Sequence, residues 1–167
     1  MLKGIFLWVR AHFLCFRSAC LASTVRVNLT TRINRLKGVC LGEHARLYWG
    51  GDVLLGERGF FRVGKRSHLA PYHYCLIANN RLEIGDNVAI GPCCMFSCHG
   101  NGIPEASIDV SFSDYYVDGD ISIGDNVLIG AVIKDNEVVG AGSMVKGQLE
   151  SGWLYAGIPA LKVKPLC

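Results

Sequence analysis

No aspartate or glutamate occurs in the first 42 residues, although seven basic residues do: Lys3, Arg10, Arg17, Arg26, Arg32, Arg35 and Lys37. All 14 acidic residues lie beyond them, so the remainder of the chain nets negative while the whole carries +3. Other scarcities narrow the choices. Charged residues make up only 19% against 50% hydrophobic, which excludes a disordered or coiled-coil chain. Five prolines exclude an extended polyproline architecture. No uninterrupted apolar stretch of about 20 residues is present, because Arg10 and His12 split the N-terminal one. The same two residues argue against a signal peptide. Paired CxxC units are missing too, and no Cys/His spacing suits zinc, so no metal site is predicted. The eight irregularly spaced cysteines read as reduced, mostly buried small residues of a cytosolic protein.

What is abundant is glycine, 20 residues of it, in a pattern. Ile84-Gly-Asp-Asn-Val-Ala-Ile90-Gly and Ile123-Gly-Asp-Asn-Val-Leu-Ile129-Gly are nearly the same stretch twice. An aliphatic residue followed by glycine recurs at Leu41, Leu55, Val63 and Val139. Within a unit aliphatic residues return after six positions, as in Leu41 to Leu47 or Ile84 to Ile90 to Phe96. Neither alternating strands nor amphipathic helices have that period. A solenoid of short strands does, with each coil burying its apolar edge against the next. Asp-Asn and Gly-Asn pairs fall where the corners need positive φ.

Two segments depart from the beat. Residues 3–17 place Lys3, Arg10 and Arg17 seven apart on an apolar stretch, which predicts an amphipathic helix. That helix is expected to pack on the body or a neighbouring subunit, or to lie at an anionic membrane surface. Val25, Val27 and Leu29 then alternate with polar residues as a lead-in strand. The predicted division is therefore residues 1–35 for the helix and lead-in, and 36–165 for the solenoid. A long polar-aromatic excursion, 100–119, interrupts the second part, and a loop of that length in a compact domain is usually functional.

Arg81-Leu-Glu-Ile84-Gly-Asp-Asn-Val-Ala-Ile90-Gly-Pro92, Phe96-Ser-Cys-His99-Gly, the second Ile-Gly-Asp-Asn-Val unit, Val139-Gly-Ala-Gly-Ser143 and Tyr155-Ala-Gly-Ile-Pro-Ala160 together resemble the hexapeptide-repeat acyltransferases, specifically their sugar and polysaccharide O-acetyltransferases. The resemblance implies an all-β solenoid, a left-handed parallel β-helix assembled as a homotrimer. It implies acetyl transfer from acetyl-CoA, as co-substrate, to a saccharide hydroxyl. Two alternatives stay open: an N-acetyltransferase on an amino sugar, and a non-catalytic β-helix scaffold. A hexapeptide-fold carbonic anhydrase is disfavoured, since only His99 lies in the right region and three histidines are needed. Nucleic acid is an unsuitable partner for an acidic repeat body with no aromatic-basic motif.

By the same resemblance His99 is the catalytic base, a role that suits a group titrating near neutral pH. His73, one coil earlier, is a possible auxiliary. Cys98 adjoins His99, but neighbouring strand residues point to opposite faces, so a thiolate nucleophile is disfavoured. Asn101, Asp114, Tyr115 and Tyr116 in the excursion suit a sugar platform. Gly130, Ala131, Gly140, Ala141, Gly142 and Ser143 match the coenzyme edge, with an amide near Gly130 or Ala131 for the oxyanion. Lys146 and Lys162, with Lys164, supply charge for the nucleotide phosphates. The link 132–137 is about eight residues shorter than in relatives, which puts that edge in question.

Overall fold

Stacked coils of short strands make up the described residues, as the six-residue beat predicts. The computed structural model describes residues 19–101, 111, 114–133, 136–140 and 142–166, without the side chains of 131–133 and 146–148. The predicted helix over 3–17 lies outside the described residues. The first coil holds β1 (Cys20–Leu21), β2 (Arg26–Val27) and β3 (Arg32–Ile33), and the second β4 (Val39–Leu41), β5 (Arg46–Leu47) and β6 (Asp52–Leu55). The third has β7 (Phe60–Val63), β8 (His68–Leu69) and β9 (Tyr74–Ala78), and the fourth β10 (Arg81–Ile84), β11 (Ala89–Ile90) and β12 (Met95–Ser97). A hairpin follows, β13 (His99–Asn101) with β14 (Tyr116–Asp118). The stack resumes with β15 (Ile121–Ile123), β16 (Leu128–Ile133), β17 (Glu137–Val139), β18 (Met144–Gln148) and β19 (Trp153–Ala156), and β20 (Leu161–Pro165) closes it antiparallel to β19.

Pairing between coils is parallel, which defines three faces. The first runs β1-β4-β7-β10-β15-β17-β19, and the second β2-β5-β8-β11-β16, joined by β18. The third runs β3-β6-β9-β12 and ends on the far half of β16. Corresponding atoms lie 20 or 21 residues apart in the early coils and 39 across the excursion. Because every sixth residue points inward, each face contributes an apolar column. Leu41, Val63, Ile84, Ile123 and Val139 stack on the first, Leu47, Leu69, Ile90, Ile129 and Val145 on the second, and Val53, Cys75 and Phe96 on the third, all buried. The cysteines Cys75, Cys94 and Cys98 are free thiols inside this core.

The corners behave as their residues require. Asn87 and Asn126 take positive φ at stacked corners, and the Asn87 amide donates to Asn126 Oδ1 at 2.7 Å. Asp86 and Asp125 accept backbone N–H groups from the coil before, at 2.7 and 2.6 Å. In the earlier coils His44 and Arg66 hold the corresponding left-handed positions. The solenoid also starts sooner than the sequence boundary at 36: β1, β2 and β3 pair in register with β4, β5 and β6. The lead-in strand is thus part of a first coil, whose corners lack the aliphatic-Gly signature.

Candidate active site

At Ser97 the chain leaves the third face. Cys98 turns inward and is buried, while His99 opens the hairpin with its side chain about one-third exposed. The two residues therefore face opposite ways, as strand alternation requires. The Ser97 hydroxyl donates to the His99 carbonyl at 2.9 Å and fixes the departure.

Across the hairpin His99 pairs with Asp118. Its Nδ1 stands 2.9 Å from Asp118 Oδ1, and the same oxygen accepts from Asn80 Nδ2 at 2.8 Å. Asn80, at the corner after β9, also donates to the Cys98 carbonyl at 2.8 Å, so one amide ties the hairpin's root to the preceding coil. The Asn80 bond, then the His99 bond, holds the Asp118 carboxyl below its ordinary range. An ionised carboxylate accepts only, so Nδ1 carries the proton and Nε2 presents a lone pair. The Tyr116 ring stacks on the imidazole, 5.1 Å between centroids and 5° from parallel. This gives an oriented histidine whose Nε2 has no hydrogen-bond partner among the described residues, beneath the half-exposed Tyr116 ring.

Of the predicted acceptor residues, Tyr116 joins His99 directly and Asn101 lies opposite it in the hairpin ladder. The Asn101 amide reaches the Tyr115 carbonyl at 3.5 Å. Asp114 and Tyr115 sit further out, both backbone amides donating to the Ser111 carbonyl. His73 does not belong with them. It is 1% exposed, its Nδ1 bonds the Ala70 carbonyl at 2.9 Å, and its ring packs against Gly51. The whole of β9 separates it from Asn80, on the order of 15 Å at the rise of a strand. Burial lowers its proton affinity, so His73 is a neutral core residue rather than an auxiliary base.

The predicted coenzyme residues divide. Gly130 and Ala131 lie mid-strand in β16 beside Lys146 and Gly147, and a Cβ on Gly130 would meet nothing. The Gly140 amide is spent on the Tyr155 carbonyl at 2.8 Å and that of Gly142 on Asp125 at 3.0 Å. Ser143 is buried, donating to the Gly140 carbonyl at 2.7 Å and accepting from the Gly157 amide at 3.1 Å. It staples a corner instead of facing a ligand. Lys162 pairs with Glu150 at 2.6 Å and lies over the Trp153 ring, so its charge is already answered. Ala141 and the Lys146 side chain fall outside the described residues.

Sequence reasoning missed Asp118 and Asn80. The one available signal was Asp118-Gly119 at the point where the excursion rejoins the coil. Beneath it the short link brings Asn136 directly under Gly119, where a Cβ would strike the asparagine. Gly152 in turn donates to the Asn136 carbonyl at 2.9 Å, continuing the corner column.

No family model matches the sequence. Galactoside O-acetyltransferase of Escherichia coli strain K12 is 27% identical over 120 residues, covering 64% of this chain and 58% of its own. The chain therefore spans less than two thirds of that relative. Among solved structures, a single-residue mutant of AntD, an N-acyltransferase from Bacillus cereus, was determined with dTDP-4-amino-4,6-dideoxyglucose and coenzyme A. It superposes with a TM-score of 0.66 at 20% identity, over 93% of this chain and 88% of that one. AntD with dTDP and 3-hydroxybutyryl-CoA gives 0.62 at 21%, over 90% and 85%. In its fold the chain is a solenoid with a six-residue repeat like that of AntD, and over part of its length its sequence is similar to a sugar O-acetyltransferase.

Proposed function

We propose that the protein is an acyltransferase that moves an acetyl group from acetyl-CoA to a saccharide hydroxyl, with His99 as general base. The carrying observation is the Asn80–Asp118–His99 chain, which holds Nδ1 and leaves Nε2 without a partner among the described residues where the excursion begins. Nε2 takes the proton from the acceptor hydroxyl as its oxygen attacks the thioester carbonyl. The resulting imidazolium is stabilised by Asp118 and returns the proton to the departing thiolate of coenzyme A. Proton transfer of this kind contributes about 10²–10⁴-fold. Tyr116 and Asn101 stand where a sugar ring would rest above the imidazole. A left-handed sense and a homotrimer come from the resemblance alone, and we carry both as part of this reading.

The likeness to a galactoside O-acetyltransferase favours a hydroxyl acceptor. An amine acceptor would use the same base and is separated by assay. Release of coenzyme A is followed with a thiol reagent over neutral sugars and amino sugars, for wild type and His99→Ala. The reading expects activity in wild type and a loss of about 10²-fold or more in the variant, with coenzyme A binding retained. Full activity of His99→Ala would refute the assignment. Failure of wild type to bind acetyl-CoA would leave a scaffold.

A further inference from the structure

The three faces differ in how their outward charges are answered. On the first, Arg62 and Arg81 both face Glu83. On the third, Arg32 meets Asp52 at 2.6 Å. The second face has no such arrangement in its early coils. Register places Arg26 beside Arg46 and Arg46 beside His68, with Arg66 at the adjoining corner. Among the described residues no carboxylate pairs with Arg26, Arg46 or Arg66. Neighbouring strands lie about 4.8 Å apart, and like charges directly opposite each other are destabilising. His68 registers the field: burial first, and Arg46 second, hold its proton affinity below the ordinary value. The fold thus stacks two exposed arginines in register on this face, with no carboxylate paired to them among the described residues.

An exposed aromatic and apolar ridge runs alongside. Leu29, Trp49 and Tyr72, at successive coils of the next corner, are 52%, 46% and 60% exposed. Tyr48 bridges ridge and column, edge-on to Trp49 at 5.8 Å and to His68 at 5.9 Å. Two hollows share Arg46. One of about 210 Å³ lies between Arg26 and Trp49, and one of about 390 Å³ between Arg46 and Arg66. Because Arg46 lines both, the two hollows flank one side chain and together mark a shallow groove across neighbouring coils.

We propose that this groove binds an acidic saccharide chain running along the stack, at a site separate from His99. The first two coils repeat a cation beside an exposed apolar residue, Arg26 with Leu29 and Arg46 with Trp49, so a ligand with a repeat fits a site with a repeat. Arginine forks suit carboxylate, sulfate and phosphate groups alike. The inference rests on the saccharide reading of the function for its choice of polyanion, and its test reads binding alone.

The probe is dextran sulfate, with neutral dextran of equal length as control, titrated into the full chain at low and high salt. Dextran sulfate is expected to bind, more weakly as salt rises, and neutral dextran to bind at least tenfold less. Arg26→Ala with Arg46→Ala should weaken binding at least tenfold. The charge-matched pair Lys37→Ala with Arg58→Ala should leave it within twofold. Trp49→Ala should lower it several-fold while keeping the salt dependence. All five side chains are surface-exposed, and Arg46→Gln provides a milder variant that keeps the stem. Equal losses in the two double variants, or no binding by wild type, would overturn the proposal. So would single-stranded DNA or anionic phospholipid vesicles binding more tightly through the same arginines. Binding that survives in a chain without transferase activity would sink the catalytic reading and leave this one standing.

Discussion

Replacing Asp118 by asparagine isolates what the carboxylate's charge does for His99. The geometry decides which effect dominates. Oδ1 of Asp118 accepts from both Asn80 and His99, at 2.8 and 2.9 Å. In the variant the Asn80 amide still demands an acceptor, so the new side chain keeps its oxygen toward Asn80 and toward Nδ1. The histidine tautomer is therefore preserved, and only the charge is lost. Two unit charges 4 Å apart interact by about 1 kcal/mol in water and about 4 kcal/mol near a protein surface. Asp118 is 59% exposed, which places the pair near the weaker limit, about 1–2 kcal/mol. At 1.36 kcal/mol per tenfold, kcat should fall about 5- to 30-fold. KM for acetyl-CoA should hold, because Asp118 reaches the donor only through His99. Adding Asn80→Ala releases the asparagine to turn its amide onto Nδ1, which favours the wrong tautomer and should cost at least another tenfold. Thiol release at saturating acetyl-CoA measures both. A drop below twofold in Asp118→Asn, with the fold intact by thermal melting, refutes an Asp118-assisted base.

Three other outcomes follow from the coordinates. His73 is held neutral mainly by burial, against the smaller opposing pull of the Ala70 carbonyl and Asp52. The unfolded chain protonates it near the ordinary value of 6.5 while the folded chain resists, so stability present above that pH is lost between it and the lower folded value. His68 shifts in the same direction. Melting temperatures of His73→Gln should therefore fall less steeply than wild type as pH drops below 6.5, and an equal slope contradicts the assignment. Gly38→Ala meets both a φ of 89° and the Gly59 carbonyl, and should lose roughly 2–4 kcal/mol in urea unfolding. Gly142→Ala, with a φ of 74° and open space, should lose only about 1 kcal/mol. Lys162→Ala should change KM for acetyl-CoA less than twofold, since Glu150 and Trp153 occupy that ammonium. A tenfold rise would return it to the coenzyme site.

The parts legible in the sequence are those with a local period. Within a unit the aliphatic residue six positions on points inward, as from Leu41 to Leu47 to Val53, because strand alternation and corner length are both set within a few residues. The first coil escaped notice because its corners use Thr24, whose hydroxyl accepts from the His44 amide at 2.8 Å, in place of Gly-Asp-Asn. His99 was legible through the motif around it. Its partners were not, since Asp118 lies 19 residues on and Asn80 lies 18 before Cys98, contacts created only by closing a coil and a hairpin. Ser143 and Lys162 show the opposite failure. Small or charged residues at the right spacing look available to a ligand until the corner they staple, or the carboxylate they face, is known.

The short link matters because of where the stack absorbs it. First-face strands β15, β17 and β19 stay in register through it, and so do β16 and β18 on the second. The lost residues come from the third face. There β16 runs unbroken from Leu128 to Ile133, pairing first with β11 and then with β12, and Gly130 and Ala131 fall between the two ladders. Below β12, then, the third face has no separate strand among the described residues, and the far half of β16 ends it. The corner that remains, at Asn136, sits under Gly119 next to Asp118. A deletion that damaged the coil indiscriminately would break register on every face. Here two faces keep their register, and the brevity of the link shows on the third alone. In the acyl-transfer reading Gly130, with open space where a Cβ would stand, remains available to a thioester arm. The shortening is then compatible with donor access, and the scaffold alternative must rest on a failure to bind coenzyme A rather than on the missing residues.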